Sequence, residues 1–247
     1  MYFFGLYHWQ VRLERLLRAL AVGAVALAVG KSRSRWRQAA GVLGVGWALH
    51  SGGSALNALC SPAPWVVEHY KYEALARALP TGGAESWLDV GCGTGRSFVG
   101  FAGLVPEGCR VVGLDVFDDR VVLGNGPRLA ARNATEAGLD AAMVRGDAAR
   151  VPVATGSQDV VTACRLLHDL SREDALATLE ELRRACAPGG AVGVLEIPIT
   201  HEGASQDPAV YWPALVAEAG FEVETVEEVP RRRSDDAYVI VVGRTGG

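Results

Sequence analysis

In the run Leu88-Asp89-Val90-Gly91-Cys92-Gly93-Thr94-Gly95, a carboxylate stands two residues ahead of three glycines spaced two apart. The apolar residues before the glycines (Trp87, Leu88, Val90) read as a strand, and Ser97 to Leu104 as a helix. Glycine at alternate positions lets a strand-to-helix turn bend sharply and brings backbone N–H groups close to a ligand. A dinucleotide fingerprint needs a further glycine at 96, where the chain has Arg96. Polar groups also end the later apolar runs. Asp115 closes Val111-Val112-Gly113-Leu114, with Val116 next, and a carboxylate there can accept both hydroxyls of a ribose. Asp147, in Arg145-Gly146-Asp147-Ala148, can accept from an exocyclic amine while Ala148 offers its N–H to a ring. Cys164, Arg165 and His168 lie on the segment leaving the next apolar run. Taken singly, Asp115 or Asp147 reads as a helix N-cap and Cys92 as a small packing residue. Their joint order and spacing point instead to a nucleoside-bearing cofactor.

Strands and helices must alternate to place these groups on one edge. Strand patterns fall at 86–90, 110–115, 142–145, 159–163, 191–197, 222–227 and 238–243, with helical patterns at 65–79, 97–104, 129–137 and 172–187. Pro188-Gly189-Gly190 reads as the stop of the last of these helices. Such alternation predicts βαβ units and a mainly parallel sheet covered on both faces. The last two strand patterns are joined only by the polar run Pro230–Asp236, so a closing hairpin with an antiparallel last strand is expected. In such sheets ligands bind at the carboxyl ends of the strands, where strand order reverses.

The runs LDVGCGTG, GLD, RGDAARVPV, QDVV, RLLHDL and LRRACAPGGAVGVLE, spread over residues 86–197, resemble the class I S-adenosylmethionine (SAM) methyltransferases. Within these they resemble the ubiquinone/menaquinone C-methyltransferase branch. Gln158, where that branch has an aromatic, and Gly124-Asn125-Gly126-Pro127 are departures. The latter segment is similar to a substrate-unassigned group, some of whose members carry N-terminal hydrophobic helices. The resemblance implies a Rossmann-like, doubly wound α/β fold with a seven-stranded sheet. SAM would be held by Asp89, Gly91, Cys92, Gly93, Gly95, Asp115, Val116, Asp147, Ala148, Cys164 and Arg165, and a methyl group passed to a small acceptor. His168 is the first candidate for a general base and equally a loop-packing residue; Glu196, with Asp169 and His201 nearby, is the next. Tyr211, Trp212, Tyr70 and Tyr72 read as pocket walls or as helix packing. A non-catalytic SAM-binding scaffold and a nucleotide-cofactor oxidoreductase are the alternatives.

The chain has 247 residues, 49% of them apolar and 21% charged, with a net charge of −4. Residues 1–67 carry seven basic side chains against the single acid Glu14, so the acidity lies in the remainder. Residues 1–60 read as a membrane-associating helical segment ahead of a methyltransferase domain at 61–247, with Pro62 and Pro64 as the hinge. Tyr2, Phe3, Phe4, Tyr7 and Trp9 suit a membrane interface, and Arg12, Arg15 and Arg18 precede an uncharged run from Ala19 to Gly30. Lys31 to Arg37 form a basic loop before a second uncharged stretch, where Ala40, Gly44, Ala48 and Gly52 fall four apart on one helix face. One span, two spans or a surface helix pair are all open, with the catalytic domain expected on the cytoplasmic side, where SAM is. Five cysteines without a paired spacing exclude a zinc site or disulfide framework. No basic, aromatic-interleaved patch lies in the domain, which excludes a nucleic-acid partner; Arg231-Arg232-Arg233 reads as a solvated loop.

Overall fold

The structure, a computed structural model, describes residues 1–247 apart from Cys60, Pro62, Arg233 and Gly247; the readings made at Cys60, Pro62 and Arg233 lie outside the described residues. In chain order the elements are β1 (Leu6–Tyr7), α1 (Trp9–Gly30), α2 (Arg35–Leu59), α3 (His69–Ala78), β2 (Ser86–Val90), α4 (Arg96–Phe101), β3 (Arg110–Asp115), β4 (Val122–Leu123) and α5 (Pro127–Glu136). They continue with β5 (Ala141–Arg145), β6 (Gln158–Cys164), a 3₁₀ turn (Leu167–Asp169), α6 (Arg172–Ala185), β7 (Cys186–Glu196), α7 (Pro208–Glu218), β8 (Glu222–Pro230) and β9 (Ala237–Arg244). The chain divides into two compact units: residues 67–117 and 126–247 with Met1, and residues 2–66 with 118–125.

The larger unit holds a seven-stranded sheet in the order β5-β3-β2-β6-β7-β9-β8. β5, β3, β2, β6 and β7 are parallel, while β9 runs antiparallel to both β7 and β8, as the hairpin reading requires. Side chains alternate between two buried layers, as a strand period of two dictates. Leu88, Val90, Val161, Val192 and Val194 pack with Leu179 and Leu182 of α6 and Trp212 and Leu215 of α7. Trp87, Val111, Val160, Leu195 and Ile240 pack with Leu75 of α3 and Phe98 and Phe101 of α4. Glu222, Glu224, Glu227 and Glu228 line the outer strand β8, where exposed charges discourage pairing with a further strand.

The helical span predicted at 172–187 ends at Ala185, and Pro188-Gly189-Gly190 belongs to β7. The ladder shifts register between Gln158 and Val160 of β6 as it crosses this run, and Gly189 has φ 72°. The turn signal marks a strand irregularity here, not a helix stop.

Helices α3 and α4 touch at Gly100. A Cβ added there would stand 2.3 Å from Cβ of Tyr72. Gly100→Ala is therefore expected to destabilise the protein by about 2 kcal/mol or more, the usual cost of overpacking. Thermal denaturation would show a Tm lower by several degrees.

In the smaller unit β1 pairs antiparallel with β4, Leu6 opposite Leu123 and Tyr7 opposite Val122. Helices α1 and α2 close on small residues: an added Cβ would stand 2.6 Å from Gly30 Cα at Gly41 and 2.7 Å from Ala26 Cβ at Gly44. Gly41 and Ala55 are the buried residues of α2, and the expected Ala40 is exposed. Leu17, Leu20, Val25, Leu27, Val42, Leu43 and Leu49 are exposed on this helix pair, and Trp36 is 87% exposed. The expectation of a spanning helix is not met: among the described residues, no helix is long and apolar enough to cross a membrane.

Candidate active site

The glycine run forms the turn between β2 and α4, with φ of 74° at Gly91, 50° at Gly93 and 80° at Gly95. These angles explain the spacing, because side chains with a Cβ rarely adopt them. The N–H groups of the turn are directed inward. Gly91 and Cys92 both donate to the Leu114 carbonyl, and Gly95 donates to that of Cys92. The glycines thus shape the turn and do not offer these N–H groups outward.

Asp115 ends β3 beside this turn and is half-buried. Its Oδ2 accepts from Gly93 N–H at 2.9 Å and its Oδ1 from Phe117 N–H at 2.6 Å. Each carboxylate oxygen has more than one acceptor site, so the side chain can still receive two hydroxyls. Val116 next to it is 54% exposed. Gly146 donates its N–H to the Asp115 carbonyl at 3.1 Å, which brings Asp147 to the same edge. Asp147 is exposed, and its carboxylate accepts from Ala149 N–H at 3.0 Å, so it caps its own turn while remaining open to a ligand. Ala148 is half-buried beside it.

Asp89 is fully buried. Its oxygens accept from Ser97 Oγ at 2.5 Å and from Thr162 Oγ1 at 2.7 Å, and Trp87 Nε1 donates to Thr162 at 3.0 Å. Burial lifts its carboxyl to about 7, against the hydrogen bonds from Ser97 and Thr162 that stabilise the ionised form. Asp89 braces the turn from below. Burial, aided by nearby Asp89, pushes the Cys92 and Cys164 thiols well above their ordinary value, so both stay neutral at pH 7.

A second group of polar residues follows β6. Arg165 has φ 58°, the left-handed region, and its N–H donates to the Leu195 carbonyl at 2.7 Å. Beyond it the chain makes the 3₁₀ turn that carries His168. Glu196, at the end of β7, is fully buried beneath this turn. Its Oε1 accepts from Leu166 and Leu167 N–H at 3.0 and 2.7 Å, and its Oε2 lies 2.6 Å from His168 Nδ1. A carboxylate only accepts, so Nδ1 carries the proton and Nε2 keeps its lone pair when the ring is neutral. Nε2 lies 3.5 Å from Oδ1 of exposed Asp169. Burial lowers the His168 pKa, but the hydrogen bond and charge of Glu196, with Asp169, outweigh it and raise it above 6.5.

His201 is only 9% exposed, and both ring nitrogens are engaged. Nε2 donates to the Leu167 carbonyl at 2.9 Å, and Nδ1 then accepts from Tyr211 OH at 2.6 Å. His201 therefore holds the His168 turn and does not serve as a base. Tyr211 and Trp212 are core residues, with Trp212 Nε1 bonded to the Ile199 carbonyl at 3.0 Å. Tyr72 packs edge-on against Phe101.

Sequence reading missed a third group. Lys71, on α3, is 4% exposed, and its Nζ reaches Tyr238 OH at 2.8 Å and Glu68 Oε2 at 2.9 Å. Glu68 and Lys71 are separated from Tyr238 by most of the domain in sequence, so no local pattern announces the cluster. Among the described residues no group of three or more His, Cys, Asp or Glu side chains is placed to hold a metal ion.

The strand order, the glycine turn and the acid ending β3 are those of the Rossmann-like methyltransferase fold. Residues 88–190 match the family model described as "Methyltransferase domain". The demethylmenaquinone methyltransferase of Beutenbergia cavernae is 38% identical over 112 residues, which are 45% of this chain and 40% of that protein. The chain thus spans less than half the length of that curated relative. Among solved structures, the cyclase SpnF aligns with TM-score 0.59 at 20% identity, over 72% of this chain and 81% of its own. The Burkholderia thailandensis 1,6-didemethyltoxoflavin-N1-methyltransferase, solved with 1,6-didemethyltoxoflavin and S-adenosylhomocysteine, aligns with TM-score 0.57 at 17% identity, over 73% of this chain and 80% of its own. At these identities the two structures share the fold.

The residues present fit SAM. Asp115 retains acceptor capacity for two ribose hydroxyls, Val116 offers an exposed apolar face to an adenine ring, and Asp147 with Ala148 stands at the same edge.

Proposed function

We propose that this chain transfers a methyl group from SAM to a small lipophilic acceptor at a membrane surface, with its catalytic domain on the cytoplasmic side. The observation that carries methyl transfer is the Asp115 carboxylate locked against the Gly93 turn at the strand ends. SAM supplies the methyl group and the leaving sulfide when bound. Asp115, Val116, Asp147 and Ala148 would hold its nucleoside, with Gly91, Gly93 and Gly95 shaping the turn beneath. His168 Nε2 would take a proton from an acceptor that carries one, and Glu196 fixes the tautomer that makes this possible. The kinship with a demethylmenaquinone methyltransferase supports a lipophilic acceptor such as a quinone precursor, isoprenoid or lipid headgroup.

The α1–α2 pair supports attachment to an anionic bilayer surface. Its small residues face each other and its larger apolar residues face outward, the reverse of a water-soluble helix pair. Lys31, Arg33, Arg35 and Arg37 surround exposed Trp36 at the connection between the helices and complement anionic headgroups. Flotation of the full chain with vesicles should show capture by phosphatidylcholine–phosphatidylglycerol mixtures, loss of capture at high salt, and little binding to phosphatidylcholine alone. Failure to float together with a dimeric mass in detergent would assign the face to a second copy. Calorimetric titration of the same preparation tests the cofactor: micromolar binding of SAM and S-adenosylhomocysteine, and none of NAD, is expected. Binding of NAD alone would overturn methyl transfer.

A further inference from the structure

The two groups placed for the nucleoside, the Asp115 carboxylate and the exposed Val116 side chain, sit where β3 runs out. The last pair of the β3–β5 ladder is Asp115 with Arg145. Val116 and Phe117 follow without strand partners. Phe117 has φ 52°, the left-handed region that a bulky side chain rarely adopts. Such a conformation persists only where the surroundings over-determine it.

The end of β5 supplies that hold. Gly146 N–H donates to the Asp115 carbonyl at 3.1 Å. Arg145 Nη1 donates to the Val116 carbonyl at 2.6 Å and to the Phe117 carbonyl at 3.3 Å. Two successive residues thus take three successive carbonyls. The Phe117 N–H, between the last two of these, is taken by Asp115 Oδ1 at 2.6 Å. The guanidinium carbon of Arg145 also stands 5.7 Å from the centre of the Phe117 ring, within range of a cation–π contact. That ring is buried in the layer that holds Phe98 of α4, whereas Arg145 itself is exposed. Arg145 therefore adds little to the core. Its bonds order the backbone that carries the cofactor-facing groups.

We propose that Arg145 is a positioning residue for the cofactor's nucleoside: its guanidinium sets the conformation of residues 115–117, and through them the affinity for the ribose and the selectivity for its hydroxyls. This deepens the methyl-transfer reading and rests on its placement of the ribose at Asp115. Without Arg145, water can take the Val116 and Phe117 carbonyls and the segment samples other conformations. The ligand must then select the competent one, so the cost falls on binding and not on folding. Asp115 loses the fixed direction needed to accept two hydroxyls at once.

The test titrates the full chain by calorimetry with S-adenosylhomocysteine and with its 2′-deoxy analogue. The unmodified chain is expected to prefer the 2′-hydroxyl compound at least about tenfold, the worth of one charge-assisted hydrogen bond. Arg145→Met should weaken S-adenosylhomocysteine binding by about tenfold and shrink the preference below about threefold, as coupled groups require. Arg145→Lys keeps a charged donor and should fall between the two. The Tm of each variant should stay within about 2 °C, as for most exposed substitutions. Equal losses for both ligands in Arg145→Met, with the preference intact, would make Arg145 a structural brace and overturn the proposal. Unchanged S-adenosylhomocysteine affinity would overturn it too. If Arg145→Met does not fold, the brace reading stands only if Arg145→Lys also leaves the preference intact; a reduced preference in Arg145→Lys upholds the proposal. A native chain that binds both ligands equally would overturn the ribose placement at Asp115. Absence of S-adenosylhomocysteine binding by the native chain would overturn methyl transfer itself, and this inference with it.

Discussion

Asp115→Ala is expected to weaken SAM and S-adenosylhomocysteine binding by about 100-fold. Two contributions add. The carboxylate would lose its charge-assisted bonds to the ribose, worth about 1.5–3 kcal/mol each before compensation by water. It would also release the Gly93 and Phe117 N–H groups that it holds at 2.9 and 2.6 Å, loosening both walls of the pocket. A net loss of about 3 kcal/mol corresponds to about two decades in affinity. Asp115→Asn is nearly as damaging despite its similar shape. Each Asp115 oxygen already accepts a backbone N–H, so an amide must turn its NH₂ toward one of these donors. Calorimetry with S-adenosylhomocysteine reads both variants. A loss smaller than about fivefold in Asp115→Ala would place the nucleoside elsewhere.

Asp115 was legible because the evidence for it is local: an acid ending an apolar run, a fixed distance after a glycine turn. All seven strands of the main sheet were legible for the same reason, since period-two apolar runs between turn residues leave little choice. Single-residue punctuation was less reliable. Pro188-Gly189-Gly190 reads as a helix stop, but the chain runs straight into β7 and absorbs the run as a register shift. The glycine turn was located correctly, yet its N–H groups are spent on Leu114 and Cys92, an outcome decided by where β3 lies beside it. Hydrogen-bond direction depends on such neighbours and is invisible in a one-dimensional pattern. The β1–β4 pair is two residues long on each side, too short for any period to register. The Lys71–Tyr238 contact joins residues separated by 167 positions, and only the antiparallel placement of β9 against β7 brings them together. His201 reads as a further candidate base, and tertiary packing makes it a brace. The sequence thus announces groups whose positions are tied to strand ends. The members of the Lys71 cluster come from distant parts of the chain.

Glu196→Gln carries the other large expected effect, and it separates a catalytic His168 from a packing one. In the native arrangement Glu196 Oε2 accepts from His168 Nδ1–H, leaving the Nε2 lone pair available. Glutamine keeps an oxygen for the Leu166 and Leu167 N–H groups, and its NH₂ must then face Nδ1. A donor there forces the other tautomer, with the proton on Nε2 and the lone pair turned into the protein. The carboxylate charge that opposed desolvation is lost as well, so the His168 pKa should fall from above 6.5 to below it. NMR titration of the imidazole reads this directly. With an acceptor in hand, kcat is expected to drop by about 10²–10⁴-fold, the usual range for losing a general base, while S-adenosylhomocysteine affinity stays within about threefold. Stability gives an independent arm. A histidine whose folded pKa is raised contributes stability that is complete below its unfolded value and is lost as pH rises through the folded value. The stability difference between the native protein and Glu196→Gln should therefore be largest at pH 5 to 6 and shrink above pH 7. Glu196→Ala is a harsher change, because it leaves two backbone N–H groups and an imidazole without their acceptor in a buried site, at a cost of about 3 kcal/mol or more. If Glu196→Gln shifts the imidazole titration but leaves kcat untouched, the pair is a clamp for the 167–169 turn. The acceptor then reaches the methyl group already ionised.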